Sequence, residues 1–399
     1  MNISKRALDM SASPIRRLMQ YANMAKKQGK TVYHLNIGQP DIATPEQFYE
    51  AIREQHDKVL AYAPSEGDEV LIKSIVNYYN KLGYGIEKKM VRITYGGSEA
   101  VSIAVAVVCD AGDEVLTIEP FYANYVTFAT AANANLLGIP TSLKNGYRLP
   151  SFEEMEKYIS PRTKALIINN PSNPTGVVLT REELANIAKL VKKYDLAMIC
   201  DEVYREFCYD GKFHSFTEFP EIKKNIIYVD SVSKRFSACG ARVGCLISAD
   251  MKFLEQVDKF CQARLCCPTL EMRAAAKLFE VEPEYFTVNL NEYRKRRDAL
   301  IKELKKIKGV TCYVPQGAFY LVVGLPVEDA EAFCIWMLKN FAIDGETMMF
   351  APGNGFYTNP RIGKNEARLA YVLSADKLVK AVKILNLALK EYAKLYPYK

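Results

Sequence analysis

Between about residues 90 and 250 the chain alternates short, wholly apolar runs with longer segments of helical periodicity, and few architectures accept that rhythm. Val91–Thr94, Glu114–Ile118, Ala165–Asn169, Leu196–Cys200, Ile226–Val229 and Val243–Ser248 read as strands. Segments between them, such as Arg181–Tyr194, repeat apolar residues at i, i+3 and i+4 as surface helices do. A strand without polar alternation is apolar on both faces and must be covered on both. The expected fold class is therefore α/β, with a largely parallel sheet between helical layers. Ligands of such sheets lie outside the carboxyl ends of the strands. Polar residues gather at those ends: Gly97 and Ser98, Tyr122, Asn173, Asp201 and Tyr204, then Ser231 and Lys234. Several strand ends with polar groups point to one shared pocket.

The last third has a different texture. Asn289–Ile307, Val327–Asn340 and Asp376–Leu395 read as helices, with Gly309–Val314, Ala318–Val323 and Arg368–Val372 as strands, which makes a smaller α+β unit. The first 45 or so residues show no βα rhythm and are expected to pack onto it. The chain has 399 residues, 49% hydrophobic and 25% charged, which fits an ordinary globular protein and excludes disorder. Fifty-three basic against 46 acidic residues leave +7, enough to hold a small anion but weak evidence for nucleic acid. The basic cluster Lys295–Arg297 and the run Lys302–Lys308, interrupted by Asp298 and Glu303, read as a solvated helix face. The richest apolar stretch, Ala100–Cys109, is too short to span a bilayer, and the N-terminus lacks the apolar core of a secretion signal. Ten cysteines without CxxC spacing and only three histidines argue against a zinc site, so no metal is expected. Scattered cysteines of this kind fit a reducing, cytoplasmic setting.

The chemistry centres on Ser231-Val232-Ser233-Lys234, followed by Gly240-Ala241-Arg242-Val243-Gly244. A lysine just after an apolar strand must pair, reach solvent or react, and bonding to an aldehyde cofactor is one such use. Ser231 and Arg242 then suit a phosphate, although two surface residues flanking a turn would read the same way. Asp201 could stabilise a protonated ring nitrogen or simply cap a helix. Tyr204 and Asn173 could donate to a ring oxygen, or Tyr204 could be core. Gly96-Gly97-Ser98-Glu99 stands where a strand turns into a helix whose free N–H groups attract phosphate. Tyr122 could stack on a flat ring or close the core. Arg368, amid apolar neighbours, needs an anion, either a substrate carboxylate or an internal acid.

Taken together these motifs resemble the class I and II pyridoxal-phosphate-dependent aminotransferases of fold type I, over nearly the whole chain. The strongest match is Ser231-Val232-Ser233-Lys234 with Arg242-Val243-Gly244 after it. Asn173-Pro174-Thr175-Gly176, Asp201-Glu202-Val203-Tyr204, the Tyr62-x-Pro-x-x-Gly67 pattern and the late Arg368 support it. The resemblance implies a large cofactor domain at 46–290 with a mostly parallel seven-stranded sheet in an αβα sandwich. Residues 1–45 and 291–399 would form the small domain. It implies that Lys234 bonds pyridoxal 5'-phosphate, Asp201 partners the pyridine nitrogen, and Tyr204 and Asn173 bind the phenolic oxygen. Ser98, Ser231 and Arg242, with the amides of Gly97 and Glu99 and with Ser233 nearby, would hold the phosphate. Tyr122 would stack on the ring, and Tyr62 would reach the phosphate of a neighbouring subunit, so a homodimer with shared sites is implied. Arg368 and Gly38 would enclose the substrate α-carboxylate. Lys234 must be neutral to take a proton, so its pKa is expected to be depressed by cofactor charge and partial burial.

The opening LNIGQPD and the run CGARVG look most like bacterial aspartate aminotransferases. That implies transfer of the amino group of aspartate to 2-oxoglutarate, with small-molecule substrates and neither nucleic acid nor membrane as partner. A dicarboxylate needs a second cation, and the candidate is Arg264 in CQARLCCP; a bridge between subunits or domains is its other use. An aromatic or broad-specificity aminotransferase, and a fold-related cysteine-S-conjugate β-lyase, would use the same core residues.

Overall fold

The computed structural model describes residues 1–10 and 13–397. A helix, Met19–Lys27, leads into strand β1 (Thr31–His34). The chain then lays down β2 (Val91–Thr94), β3 (Glu114–Glu119), β4 (Asn135–Pro140), β5 (Thr163–Asn169), β6 (Ala197–Asp201), β7 (Ile226–Ser231) and β8 (Gly244–Ser248). These seven form one sheet in the order β2-β8-β7-β6-β5-β3-β4, with only β8 antiparallel to its neighbours. The five interior strands are nearly wholly buried, as their unbroken apolar runs require. β4 escaped the sequence reading because it is an edge strand of mixed character, exposed at both ends.

Local chemistry sets the helix limits. The helix Arg181–Tyr194 opens on a capping box in which Thr180 Oγ1 accepts from the Glu183 amide and Glu183 accepts from the Thr180 amide at 2.8 Å. It closes at Asp195 in the left-handed conformation, φ 50°.

The carboxyl-terminal unit adds β9 (Thr311–Cys312), β10 (Tyr320–Gly324), β11 (Glu346–Met349), β12 (Ala351–Pro352) and β13 (Glu366–Ala370). β12, β13, β10 and β9 form an antiparallel sheet, while β1 pairs in parallel with β11. The amino-terminal segment thus joins this unit through a helix and a strand of its own, contrary to the expectation of an arm without βα character. The 22-residue helix Pro283–Leu304 crosses position 290/291. Tyr285 and Phe286 pack on the core of the large sheet, and Tyr293, Leu300 and Leu304 on that of the small one. No helix among the described residues is long and apolar enough to cross a membrane.

The expected solvated face of that helix is corrected at two positions. Arg296 and Arg297 are buried, Arg296 paired with Asp41 at 2.6 Å and Glu292 at 2.8 Å, and Arg297 with Asp210 at 2.5 Å and Asp298 at 2.8 Å. Two of the four carboxylates, Asp41 and Asp210, lie far away in sequence, which helical spacing cannot reveal. Lys302, Lys305, Lys306 and Lys308 are exposed as expected.

Beneath the carboxyl ends of β6 and β7 lies a buried polar layer. Asp230 accepts from Arg235 and from Tyr79 Oη, both at 2.5 Å. Glu202 accepts from Tyr84 Oη and from Ser215 Oγ at 2.9 Å. Burial pushes the Glu202 carboxyl up to about 7, against the opposing pull of Arg205 and its two hydroxyl donors. A carboxyl neutral in the fold and ionised in the unfolded chain stabilises fully below its ordinary value of 4.5, and that contribution is lost as pH rises toward 7. Between about pH 5 and 7 the wild type should therefore lose roughly 2 kcal/mol relative to Glu202→Gln. Urea unfolding at both pH values measures this, and parallel pH profiles for the two proteins would refute it.

Candidate active site

The strands β2, β3, β5, β6 and β7 deliver their polar terminal residues to a single cavity of about 820 Å³. It is lined by Gly97, Ser98, Tyr122, Asn173, Asp201, Tyr204, Ser231, Ser233, Lys234 and Arg242, joined by Gly38 and Arg368 from the two ends of the chain. The sheet explains the gathering: residues hundreds apart in places share one edge because the strands run in parallel.

Lys234 stands on a single helical turn, Val232–Arg235, capped by Ser231 Oγ, which accepts from the Ser233 amide at 3.2 Å. Its Nζ donates to the Gly38 carbonyl at 3.0 Å and lies 4.0 Å from Cys239 Sγ. Burial lowers its pKa, but the field of Tyr320, Cys239 and Tyr122 outweighs that, so it stands above the ordinary lysine value. The depression expected from sequence is thus not a property of the chain alone. A Cβ on Gly38 would fall 1.7 Å from Tyr320 Oη, so this close approach requires glycine.

Asp201, at the end of β6, is 7% exposed and accepts from Tyr125 Oη at 2.6 Å and the Val203 amide at 3.4 Å. Burial raises its carboxyl to about 6, with both donors pulling the other way. Tyr204 Oη shares a hydrogen bond of 2.9 Å with Tyr320 Oη. Asn173 is positioned by its amide, which donates to Asn169 Oδ1 at 2.6 Å, and its own Oδ1 accepts from Arg368 Nη1 at 3.0 Å. Arg368 is 1% exposed, donates to the Asn36 carbonyl at 2.5 Å, and lies over the rings of Tyr320 and Phe356. Burial lowers its pKa. Its Nε finds no partner among the described residues.

At the far side of the cavity the helix Gly97–Val108 starts without a side-chain cap, leaving its first N–H groups free beside Ser98, Ser231 and Arg242. The backbone there is tightly layered. A Cβ on Gly244 would lie 2.5 Å from the Gly96 carbonyl carbon and 2.7 Å from the Gly97 amide. Arg242 adopts φ 54° and donates to the Cys239 and Tyr95 carbonyls at 3.1 and 3.2 Å, which aims its guanidinium along this cup.

This donor set fits a flat heteroaromatic aldehyde carrying a phosphate. The uncapped helix with two hydroxyls and a guanidinium suits the phosphate. The buried Asp201 carboxylate, which has no cationic hydrogen-bond partner among the described residues, suits a protonated ring nitrogen. The Tyr122 ring borders the space between them, and Lys234 is within the same cavity.

Two expected residues lie elsewhere. Arg264 does not line this cavity: its guanidinium is bound to Glu99 Oε2 at 2.7 Å and to the Ser65 carbonyl at 3.0 Å. Glu99 itself accepts from the Tyr95 amide at 2.6 Å. Tyr62 is 79% exposed and lies with Arg264, Val59 and Leu60 in an adjoining groove that shares Ser98, Phe128 and Arg242 with the cavity. Sequence reading missed Tyr125, Tyr320, Asn169 and Arg16. Tyr125 stands three residues beyond the strand-end aromatic Tyr122, which was a usable signal. Tyr320 sits inside an expected strand of the small unit with nothing to mark it.

Comparison with known proteins agrees with this geometry. Residues 30–385 match the family model for aminotransferase class I and II. The aromatic-amino-acid aminotransferase 2 of Thermococcus litoralis is 32% identical, over 98% of this chain and 99% of that protein. The crystal structure of aspartate aminotransferase from Thermotoga maritima superposes with a TM-score of 0.88 at 30% identity, covering 97% of this chain and all of that one. Alanine aminotransferase from Pyrococcus furiosus gives the same TM-score at 28% identity, over 98% of this chain and 100% of that one. The shared edge of the sheet and these likenesses lead to one conclusion: the chain belongs to the class I and II aminotransferases and is a fold type I, pyridoxal-phosphate-dependent member of them.

Proposed function

We propose that this aminotransferase moves the amino group of aspartate to 2-oxoglutarate, giving oxaloacetate and glutamate. The observation that carries the reading is a cavity with four cationic side chains, Arg16, Lys234, Arg242 and Arg368, against one acid, Asp201. Such a charge balance favours an amino acid with a second carboxylate over a neutral one.

Pyridoxal phosphate, when bound, supplies an aldehyde that bonds an amine and a ring that withdraws the electron pair left at Cα when its proton departs. Ser98, Ser231, Arg242 and the free amides of Gly97 and Glu99 would hold its phosphate, with Ser233 beside them. Tyr122 would lie against the ring, and Tyr204 and Asn173 would bind its oxygen. Asp201, ionised above about pH 6, would hold the proton on its nitrogen. Arg368 binds the α-carboxylate in exchange for the Asn36 carbonyl, and Gly38 closes over it. That would place Cα within reach of Lys234 Nζ, whose neutral form would take up the Cα proton, hold it as the ammonium and give it up again later in the cycle. The chain by itself keeps Lys234 protonated, so its neutral form depends on the charge and covalent bonding that the bound group brings.

The proposal includes a homodimer that completes each site across its interface. Its support is the exposed trio Val59, Leu60 and Tyr62 in the groove bordering Ser98 and Arg242. A reducing cytoplasmic setting is also part of it, in keeping with ten cysteines that are all free.

Two measurements test the reading. Amino donors compared by kcat/KM with 2-oxoglutarate should rank aspartate above alanine, phenylalanine and kynurenine. Equal rates across the panel would replace it with a broad-specificity enzyme, and pyruvate released without an oxo-acid acceptor would mark a lyase. Tyr125→Phe removes a donor that favours the ionised Asp201. The infrared titration of that carboxyl should then move upward from about 6 by roughly one pH unit. An unmoved midpoint would show that Tyr125 does not tune Asp201.

A further inference from the structure

Of the four cations in the cavity, three have evident employment and one has none. Lys234 and Arg368 are bound to the Gly38 and Asn36 carbonyls, and Arg242 to the Cys239 carbonyl of its own turn and the Tyr95 carbonyl across the cup. Arg16 is exposed, lines the cavity, and makes no ion pair or side-chain hydrogen bond among the described residues. Its neighbour Arg17 behaves oppositely, paired with Glu331 and donating to Asn354 Oδ1 at 3.4 Å.

The segment that carries Arg16 is pinned on both sides of it. Pro14 sits directly over Gly355, whose place a Cβ could not take without falling 2.2 Å from the proline ring. Ile15 packs on the buried Ala123 and Phe356, and its carbonyl accepts from Asn36 Nδ2 at 3.0 Å. Leu18 is 2% exposed. Asn36 is wholly buried and does two jobs: its side chain holds the Ile15 carbonyl, while its own carbonyl accepts from Arg368. A single residue therefore sets the distance between the expected α-carboxylate clamp and the backbone next to Arg16.

We infer that Arg16 is the second carboxylate receptor of the substrate site, the residue that selects an amino acid with a side-chain acid. The inference deepens the aspartate reading and rests on it. It replaces Arg264 in that role, because the Arg264 guanidinium is already bound to Glu99 and Ser65 and lies outside the cavity. Arg16 offers a guanidinium fork matched to a carboxylate, and the pinned flanks lower the entropy lost when the two meet.

The test uses the holoenzyme. Arg16→Ala should lower kcat/KM for aspartate and glutamate about 100-fold and leave alanine within a few-fold of wild type. Calorimetric titration with succinate, an unreactive dicarboxylate, should show a similar weakening, whereas propanoate binding stays unchanged. Arg16→Lys should restore part of the succinate affinity. Arg264→Ala should change aspartate and alanine in the same proportion. Equal losses for aspartate and alanine in Arg16→Ala, or succinate binding that does not respond to it, would overturn the assignment. So would a selective loss of aspartate in Arg264→Ala. Should the wild type exchange amino groups with no donor, the aminotransferase proposal would fail instead, and the succinate titration would still judge Arg16.

Discussion

A guanidinium buried to 1% exposure without a carboxylate among its described partners is the constraint around which this molecule is arranged. Burying a charge costs several kcal/mol unless it is hydrogen-bonded and its field is answered. Arg368 meets that demand from four directions. The Asn36 carbonyl comes from the amino-terminal segment, Asn173 from the loop after β5, Tyr320 from the adjacent β10, and Phe356 from the turn after β12. These partners are weaker than a carboxylate, and one nitrogen is left over. The fold thus holds a cation together with the means to exchange a carbonyl for an anion.

The large sheet answers the complementary problem of placing an acid and an amine near each other without neutralising either. Asp201 ends β6 and Lys234 stands on the turn after the neighbouring β7; both line one cavity, yet each is bonded elsewhere: Asp201 to Tyr125, Lys234 to Gly38. Behind them, the buried pair of Arg235 and Asp230 fixes the turn on which Lys234 stands, with the Asp230 carboxylate also accepting from the Ser231 amide at 2.7 Å. Breaking such a pair by removing one partner leaves an unpaired buried charge, so the turn is held firmly. Gly38 lets its backbone approach the Tyr320 ring, and Gly244 lets two backbones approach, to distances that any side chain would prevent.

What could be read in the sequence follows from how local each signal is. The interior strands were visible because burial on both faces makes them continuously apolar, and Arg181–Tyr194 because its period and capping box are local. β1, β4 and β11 were not. β4 is an exposed edge, and β1 and β11 each have meaning only through the other. The motif residues from Gly97 to Arg242 were legible as a site because each lies at or close to a strand end on one edge of the sheet. Arg296 and Arg297 depart from the exposed face expected of them because part of an arginine's role is set by acids distant in sequence, and Asp41 and Asp210 lie 255 and 87 positions away. Tyr320 and Arg16 carry no local mark at all. They matter through the meeting of the two ends of the chain with the sheet.

This division of labour bears on how such an enzyme acquires its substrate. The groups proposed to handle the cofactor stand on strand ends and capped turns buried in the sheet, where a change of residue disturbs packing as well as chemistry. Arg16 stands on a short segment whose anchors are Pro14, the Ile15 backbone, Arg17 and Leu18, none of which depends on what residue 16 is. A substitution there alters the charge facing the substrate's side chain and leaves the reacting centre in place. Specificity can then change by one residue at the mouth of the cavity while the rest of the machinery stays the same. The three compared relatives are named for aromatic amino acids, aspartate and alanine, and share this fold at about 30% identity. A scaffold that separates reaction from selection in this way lets one position set the substrate while the reacting groups stay fixed, which is how one architecture can serve several chemistries.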